Sequence, residues 1–206
     1  MAYGNGKNAP TGFVPTRYLN GSSWNEQTNQ YRIASAYADD LGQGDLVTLG
    51  DGVIEILSEG GGEQVLGVFW GCQYLDSNGK MVYSNQWVGN TAVYQGGYAT
   101  AFVVDDPNVL FSVQVADSTN ARNYLQIGDL YDNADFVVAD PNPLTGLSTA
   151  YLDINTIAHT ATLNLKIYDL DPKVGNNFGT ATTYNYNNAL VLLNNHVYKS
   201  VGTLGV

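Results

Sequence analysis

Cysteine is almost absent from the chain: Cys72 is the only one. No intrachain disulfide can form, and a thiolate zinc cluster within one chain is excluded with it. Cys72 stands in the middle of an apolar run, so it reads as a small buried hydrophobe and not as a reactive thiol. Histidine is scarce as well. His159 falls in a polar turn and His196 near the end of the last apolar run, and neither has a His or Cys neighbour at ligand spacing. The chain contains no His-Glu-x-x-His helix motif and no Gly-x-Ser-x-Gly elbow, so structural roles are expected for both histidines and no catalytic activity is expected.

Positive charge is the next shortage. Lys and Arg number 8 against 19 Asp and Glu, a formal charge of −11. Binding nucleic acid needs clustered cations to displace counterions, so no nucleic-acid partner is expected, and the acidity serves solubility. No apolar run approaches the roughly 20 residues that cross a bilayer, and no apolar signal core follows Met1. The expected product is soluble, made in the cytoplasm, with no membrane partner. Metal and cofactor signatures are missing too. The Asp-bearing turns at 76–80, 105–108 and 140–143 lack EF-hand spacing. The run Glu59-Gly60-Gly61-Gly62-Glu63 has no following Gly-Lys-Ser/Thr, and its flanking carboxylates would repel a phosphate. No cofactor is expected. Asp105 and Asp106, adjacent on a turn before Pro107, are expected to point apart instead of forming an acid–base pair.

What the chain does have is apolar and hydrogen-bonding surface. Hydrophobic residues make up 44% and charged residues only 13%, about half the usual share, so the exterior must be largely Asn, Gln, Ser, Thr, Gly and Tyr. Such surfaces suit wide, wet contacts. The 15 tyrosines combine an apolar ring with a hydroxyl, which suits protein assembly and glycan stacking alike.

The pattern predicts an all-β fold, a β-barrel or β-sandwich of short antiparallel strands with an extended N-terminal arm. Its centre is Gln64 to Val88, where two apolar, aromatic-rich runs flank Asp76-Ser77-Asn78-Gly79, the strongest hairpin signal in the sequence. The first run, Val65 to Leu75, is apolar at nearly every residue and reads as a strand buried on both faces, with glycines that permit a bulge or close backbone approach. Further strands are predicted over 31–37, 45–49, 53–57, 98–104, 109–115, 136–139, 148–154, 161–170 and 189–198, with Asp51-Gly52 as a second hairpin turn. Along 161–170, Leu163, Leu165, Ile167 and Asp169 fall on one alternating face. Gly44-Asp45-Leu46 is echoed by Gly128-Asp129-Leu130, too short a match to establish a repeat.

Residues 1–30 read as the arm and 31–206 as the β domain, with room for a subdivision near 116–147. Phe13, Arg17, Tyr18 and Trp24 are candidate anchors by which the arm would reach a neighbouring subunit. Tyr184 and Tyr186, in the Asn-rich loop 171–188, are candidates for partner or glycan contact.

Several stretches together resemble small structural proteins encoded beside the major capsid protein in tailed bacteriophages. They are Gly12-Phe13-Val14-Pro15-Thr16-Arg17-Tyr18-Leu19 before Gly21-Ser22, Tyr31-Arg32-Ile33-Ala34, Gly44-Asp45-Leu46-Val47, Val65 to Tyr74, and Phe102-Val103-Val104-Asp105-Asp106-Pro107. The resemblance spans residues 12 to 115. It implies a head decoration, or cement, protein on the capsid exterior of a virion, with the major capsid protein as partner and a homo-oligomer, by analogy a trimer, as the working form. It implies no catalytic residues. A glycan- or receptor-binding virion protein, such as a head fibre or tail component, is the alternative.

Overall fold

The computed structural model describes residues 7–60, 62–119, 122–179 and 185–199. The fold is all-β. In chain order the strands are β1 (Val14–Tyr18), β2 (Asn29–Ala34), β3 (Leu41–Gly42), β4 (Leu46–Gly50), β5 (Val53–Ile56), β6 (Gly67–Leu75), β7 (Met81–Ser84), β8 (Gln86–Trp87), β9 (Tyr98–Val104), β10 (Val109–Ala116), β11 (Asn133–Val137), β12 (Tyr151–Ala158), β13 (Leu165–Leu170) and β14 (Asn188–Leu193). Helix among the described residues is limited to two 3-10 turns, Tyr94–Gly96 and Ile127–Asp129.

The C-terminal half is a closed barrel. Its order is β10-β12-β11-β13-β14, and β14 returns to pair with β10. Closure leaves no free edge, and alternate residues such as Phe111, Val113, Val115, Leu152, Leu165, Ile167 and Val191 fill the interior. The β10–β12 ladder is parallel, an exception to the antiparallel pairing that the sequence predicts. The N-terminal half forms a second sheet, β2-β9-β6-β4-β5, with β7 added to β6. It curls until its end strands β2 and β5 lie close together, though they form no ladder. The Ile56 N–H donates to the Tyr37 hydroxyl at 2.9 Å across that side.

The two sheets are one topology used twice. In chain order β2, β4, β5, β6 and β9 correspond to β10, β11, β12, β13 and β14. The first strand lies beside the third and fifth, the second beside the third and fourth, and the fourth beside the fifth, in both halves. The registers agree residue by residue. Val47 opposes Gly67 as Ala134 opposes Leu165. Phe69, Gly71 and Cys72 oppose Val103, Phe102 and Ala101; Ile167, Asp169 and Leu170 oppose Val191, Leu190 and Ala189. Each fourth strand therefore carries a one-residue bulge, at Trp70 and at Tyr168. Tyr31 opposes Ala101 as Val113 opposes Ala189. The Gly-Asp-Leu echo does not mark this repeat. Phe69 bonds to Gly44 and Asp45 in the way Ile167 bonds to Tyr131 and Asp132, so the match to Gly44 is Tyr131, three residues beyond Gly128. The two Gly-Asp steps do build the same turn: Gly42 N–H donates to Asp45 Oδ2 and Gln126 N–H to Asp129 Oδ2, each at 2.6 Å.

β6 explains its own unbroken apolar run. Val65 and Val68 enter the core of the C-terminal barrel, while Leu66, Phe69 and Cys72 enter the core of the N-terminal sheet. A strand wedged between two cores is apolar on both faces. A side chain at Gly67 would strike the Val104 carbonyl, which is the close approach expected there. Cys72 is buried, and burial pushes its thiol up to about 12. The β6–β7 hairpin forms as predicted. Its turn is longer than a two-residue Asn-Gly loop: Gly79 alone takes a positive φ, and Asp76 Oδ1 accepts from the N–H groups of Asn78 and Lys80.

Several boundaries move. β12 runs to Ala158, not Ile154; β13 starts at Leu165; β14 stops at Leu193, beyond which the chain turns. Asp169 is exposed, not on the face of Leu165 and Ile167, because the Tyr168 bulge flips the alternation. The change from one sheet to the other falls between Val104 and Val109, and 116–147 lies within the C-terminal barrel.

The segment 7–30 is not a detached arm. β1 pairs with β10 beside the barrel, and Phe13 is fully buried in edge contact with Phe136, ring centroids 6.1 Å apart. The Phe13 N–H donates to the Gly44 carbonyl at 2.9 Å, so this segment ties the halves together. Other ties are the Gln43–Leu147 and Val65–His196 bridges, Gly60 N–H to Asp135 at 2.6 Å, and the amides of Asn164 and Asn195 on the Glu63 carbonyl.

Candidate binding groove

Where the chain leaves β1 it makes a tight excursion over residues 19–28 before entering β2. The Tyr18 N–H donates to the Ser22 carbonyl at 2.8 Å and the Gly21 N–H to the Tyr18 carbonyl at 2.9 Å. Asn20 Oδ1 accepts from the N–H and hydroxyl of Ser22. Facing this wall is the β9–β10 turn, where Asp106 Oδ1 accepts from the N–H and side-chain amide of Asn108. The Leu19 N–H donates to the Asn108 carbonyl at 2.8 Å and joins the walls. Between them lies an open groove of about 640 Å³, lined by Tyr18, Leu19, Asn20, Ser22, Asn25, Gln27, Asp106 and Asn108. A second cleft of about 310 Å³ shares Tyr18, Gln27 and Asp106, and continues to Asn29, Asp105, Pro107 and Tyr198.

The floor of the second cleft is a closed polar network. Asp105 is buried and accepts from the Asn29 amide and, at 2.5 Å, from the Tyr31 hydroxyl. Tyr31 in turn meets the Tyr198 hydroxyl at 2.7 Å. Burial and these hydrogen bonds drive the Tyr31 pKa upward, so it remains a neutral donor. Asp105 thus points inward and Asp106 outward, the divergence expected of adjacent turn carboxylates.

His196 lies behind this network. It is buried, and its Nδ1 accepts from the Tyr198 N–H at 3.1 Å. Burial pushes the imidazole down to about 4, against the pull of the Asp105 charge. His159 is exposed and pairs with Asp132 at 2.9 Å. The two histidines therefore serve separate surroundings.

The remaining candidates divide. Tyr18 lines the groove and donates to Asn25 Oδ1 at 3.0 Å. Arg17 and Trp24 are half-buried against the chain itself: the guanidinium lies 6.0 Å from the Tyr168 ring centre, and Trp24 makes an edge contact with Trp70 at 5.3 Å. Phe13 is core and cannot anchor a neighbour in this conformation. Tyr186 is half-buried in the 171–188 loop at a positive φ, its N–H donating to the Asn123 carbonyl; Tyr184 lies outside the described residues. Asn25, Gln27 and Asn108 were not singled out by sequence because isolated amides carry no motif; only the fold brings them together.

Elsewhere Asp39, Asp40, Asp45 and Asp140 border a cleft of about 340 Å³. Asp45 is buried there, which raises its carboxyl to about 6, but it is satisfied by the Gly42 N–H. Among the described residues no three His, Cys, Asp or Glu side chains are grouped to hold a metal ion, and no helix is long and apolar enough to cross a membrane. The chain matches no protein-family model, no curated protein and no solved structure.

Proposed function

We propose that the chain is a structural protein of a tailed-bacteriophage virion that binds the outer surface of the capsid and bridges its subunits, working without catalysis. The carrying observation is a doubled β body in a chain low in charged residues yet rich in exposed tyrosines, among them Tyr83, Tyr98, Tyr131 and Tyr198. Tyrosine supplies large contact area at low entropic cost and is enriched where proteins meet. A ligand of the assembled shell stabilises that state by mass action, and many copies on a lattice gain avidity. A homotrimer fits the local three-fold positions of such a shell, with the major capsid protein as partner.

The test is to isolate mature particles and determine the copy number and position of this chain by cryo-electron microscopy. Stoichiometric density on the shell exterior, and stripped shells that resist heat better when the protein is restored, are expected. Absence from mature particles, or turnover of a substrate in a defined pocket, would overturn the reading.

A further inference from the structure

We infer that the groove between the 19–28 excursion and the Asp106–Asn108 turn is a binding site for a neutral saccharide. This does not depend on whether the chain is a virion component.

The argument begins with the groups left free. Asp106 uses Oδ1 to cap Asn108, while its Oδ2 takes no hydrogen bond from a described residue, and Asp106 is exposed. Asn25 spends its carbonyl oxygen on Tyr18, and its amide NH2 has no partner among the described residues. Gln27 makes no side-chain hydrogen bond among them. The groove therefore offers one unpaired carboxylate acceptor beside unpaired amide donors and acceptors. A sugar hydroxyl is both donor and acceptor and needs both kinds of partner, and vicinal hydroxyls suit a carboxylate flanked by amides. Tyr18 and Leu19 add apolar surface for the C–H face of a sugar ring.

The other ligand classes fit worse. Among the described residues no Lys or Arg lines the groove, and Asp106 would repel a phosphate or a sialic acid. A single free carboxylate is too little for a divalent cation. The volume falls within the range of small-ligand sites. Both walls are pinned, by the Leu19–Asn108 hydrogen bond and by the Asn20–Ser22 turn, so little ordering cost attends binding.

The experiment titrates the full chain with neutral gluco-, galacto-, manno- and N-acetylglucosamine oligosaccharides and with sialyllactose, following side-chain amide signals by NMR. At least one neutral sugar should shift the amides of Asn25, Gln27 and Asn108. Asp106→Asn keeps the Oδ1 cap but replaces the free oxygen, and Gln27→Ala removes an exposed amide; each should weaken binding roughly tenfold. Leu144→Ala, an exposed position outside the groove, should leave it unchanged. The inference is overturned if no neutral sugar shifts these signals, if sialyllactose alone does, or if both groove variants bind as the wild type does.

Discussion

Gly44 and Tyr131 hold the same place in the two halves of the fold. Each donates its N–H to the residue before a bulge, Gly44 to the Phe69 carbonyl at 2.8 Å and Tyr131 to the Ile167 carbonyl at 3.0 Å. Both have positive φ, +104° and +69°. The position demands a left-handed backbone in both copies, and only one supplies glycine.

That difference gives opposite expectations for two substitutions. A left-handed conformation costs a residue with a Cβ about 1–2 kcal/mol, while glycine gives back about 0.5–1 kcal/mol through unfolded-chain entropy. Tyr131 is largely exposed, so Tyr131→Gly should be neutral or stabilise by up to about 1 kcal/mol. Gly44→Ala should lose about 1–3 kcal/mol, because the new Cβ would also lie 3.0 Å from the Thr11 carbonyl. Urea unfolding of both variants checks this; a Tyr131→Gly protein less stable than wild type by more than about 1 kcal/mol would contradict it.

Phe13 should matter to folding before it matters to any partner. Its ring is fully buried and meets Phe136 edge-on, so Phe13→Ala should cost about 3–5 kcal/mol. Deleting residues 1–24 removes this ring together with the β1 ladder and should destabilise the body at least as much. Thermal melts decide the matter: a truncated chain with an unchanged midpoint would show that the segment is an independent arm after all.

Two buried groups tilt stability in opposite directions below neutrality. His196 falls from 6.5 in the unfolded chain to about 4 when folded. Its neutral form is favoured by folding, so its contribution is complete above pH 6.5 and disappears as pH falls to about 4, by about 3 kcal/mol at most. Asp45 rises from 3.8 to about 6. Its charged form is disfavoured by burial, so folding gains as pH falls through 6 towards 3.8, by a similar amount. The wild-type chain should therefore show a shallow profile over this window. Acidification should lower the stability of wild type relative to His196→Gln and raise it relative to Asp45→Asn. Parallel profiles for all three proteins would refute the assignment.

Several features were readable from the chain itself. The all-β class follows from short β-branched and aromatic runs cut by glycine and Asp-Gly or Asn-Gly steps, since local turn chemistry acts over a few residues. Asp51 and Gly52 take the two positive φ values that their hairpin needs. The internal repeat was invisible because strand pairing constrains size and side, not identity. Ala101 and Val103 recur as Ala189 and Val191, but Phe69 recurs as Ile167, Gly71 as Asp169 and Gly44 as Tyr131. The short Gly-Asp-Leu echo pointed three residues away from the true correspondence.

Composition and local pattern thus determined the class, the turns, the burial of Cys72 and the scarcity of positive charge, because each depends on residue type or on neighbours in sequence. The tertiary structure alone decided that Phe13 belongs to the core, that β6 divides its side chains between two cores, and that Tyr18, Asn25, Gln27 and Asp106 share one groove. These depend on contacts between segments far apart in the chain, such as Leu19 with Asn108 and Phe13 with Phe136, and such contacts are fixed only when closing the sheets brings distant strands together.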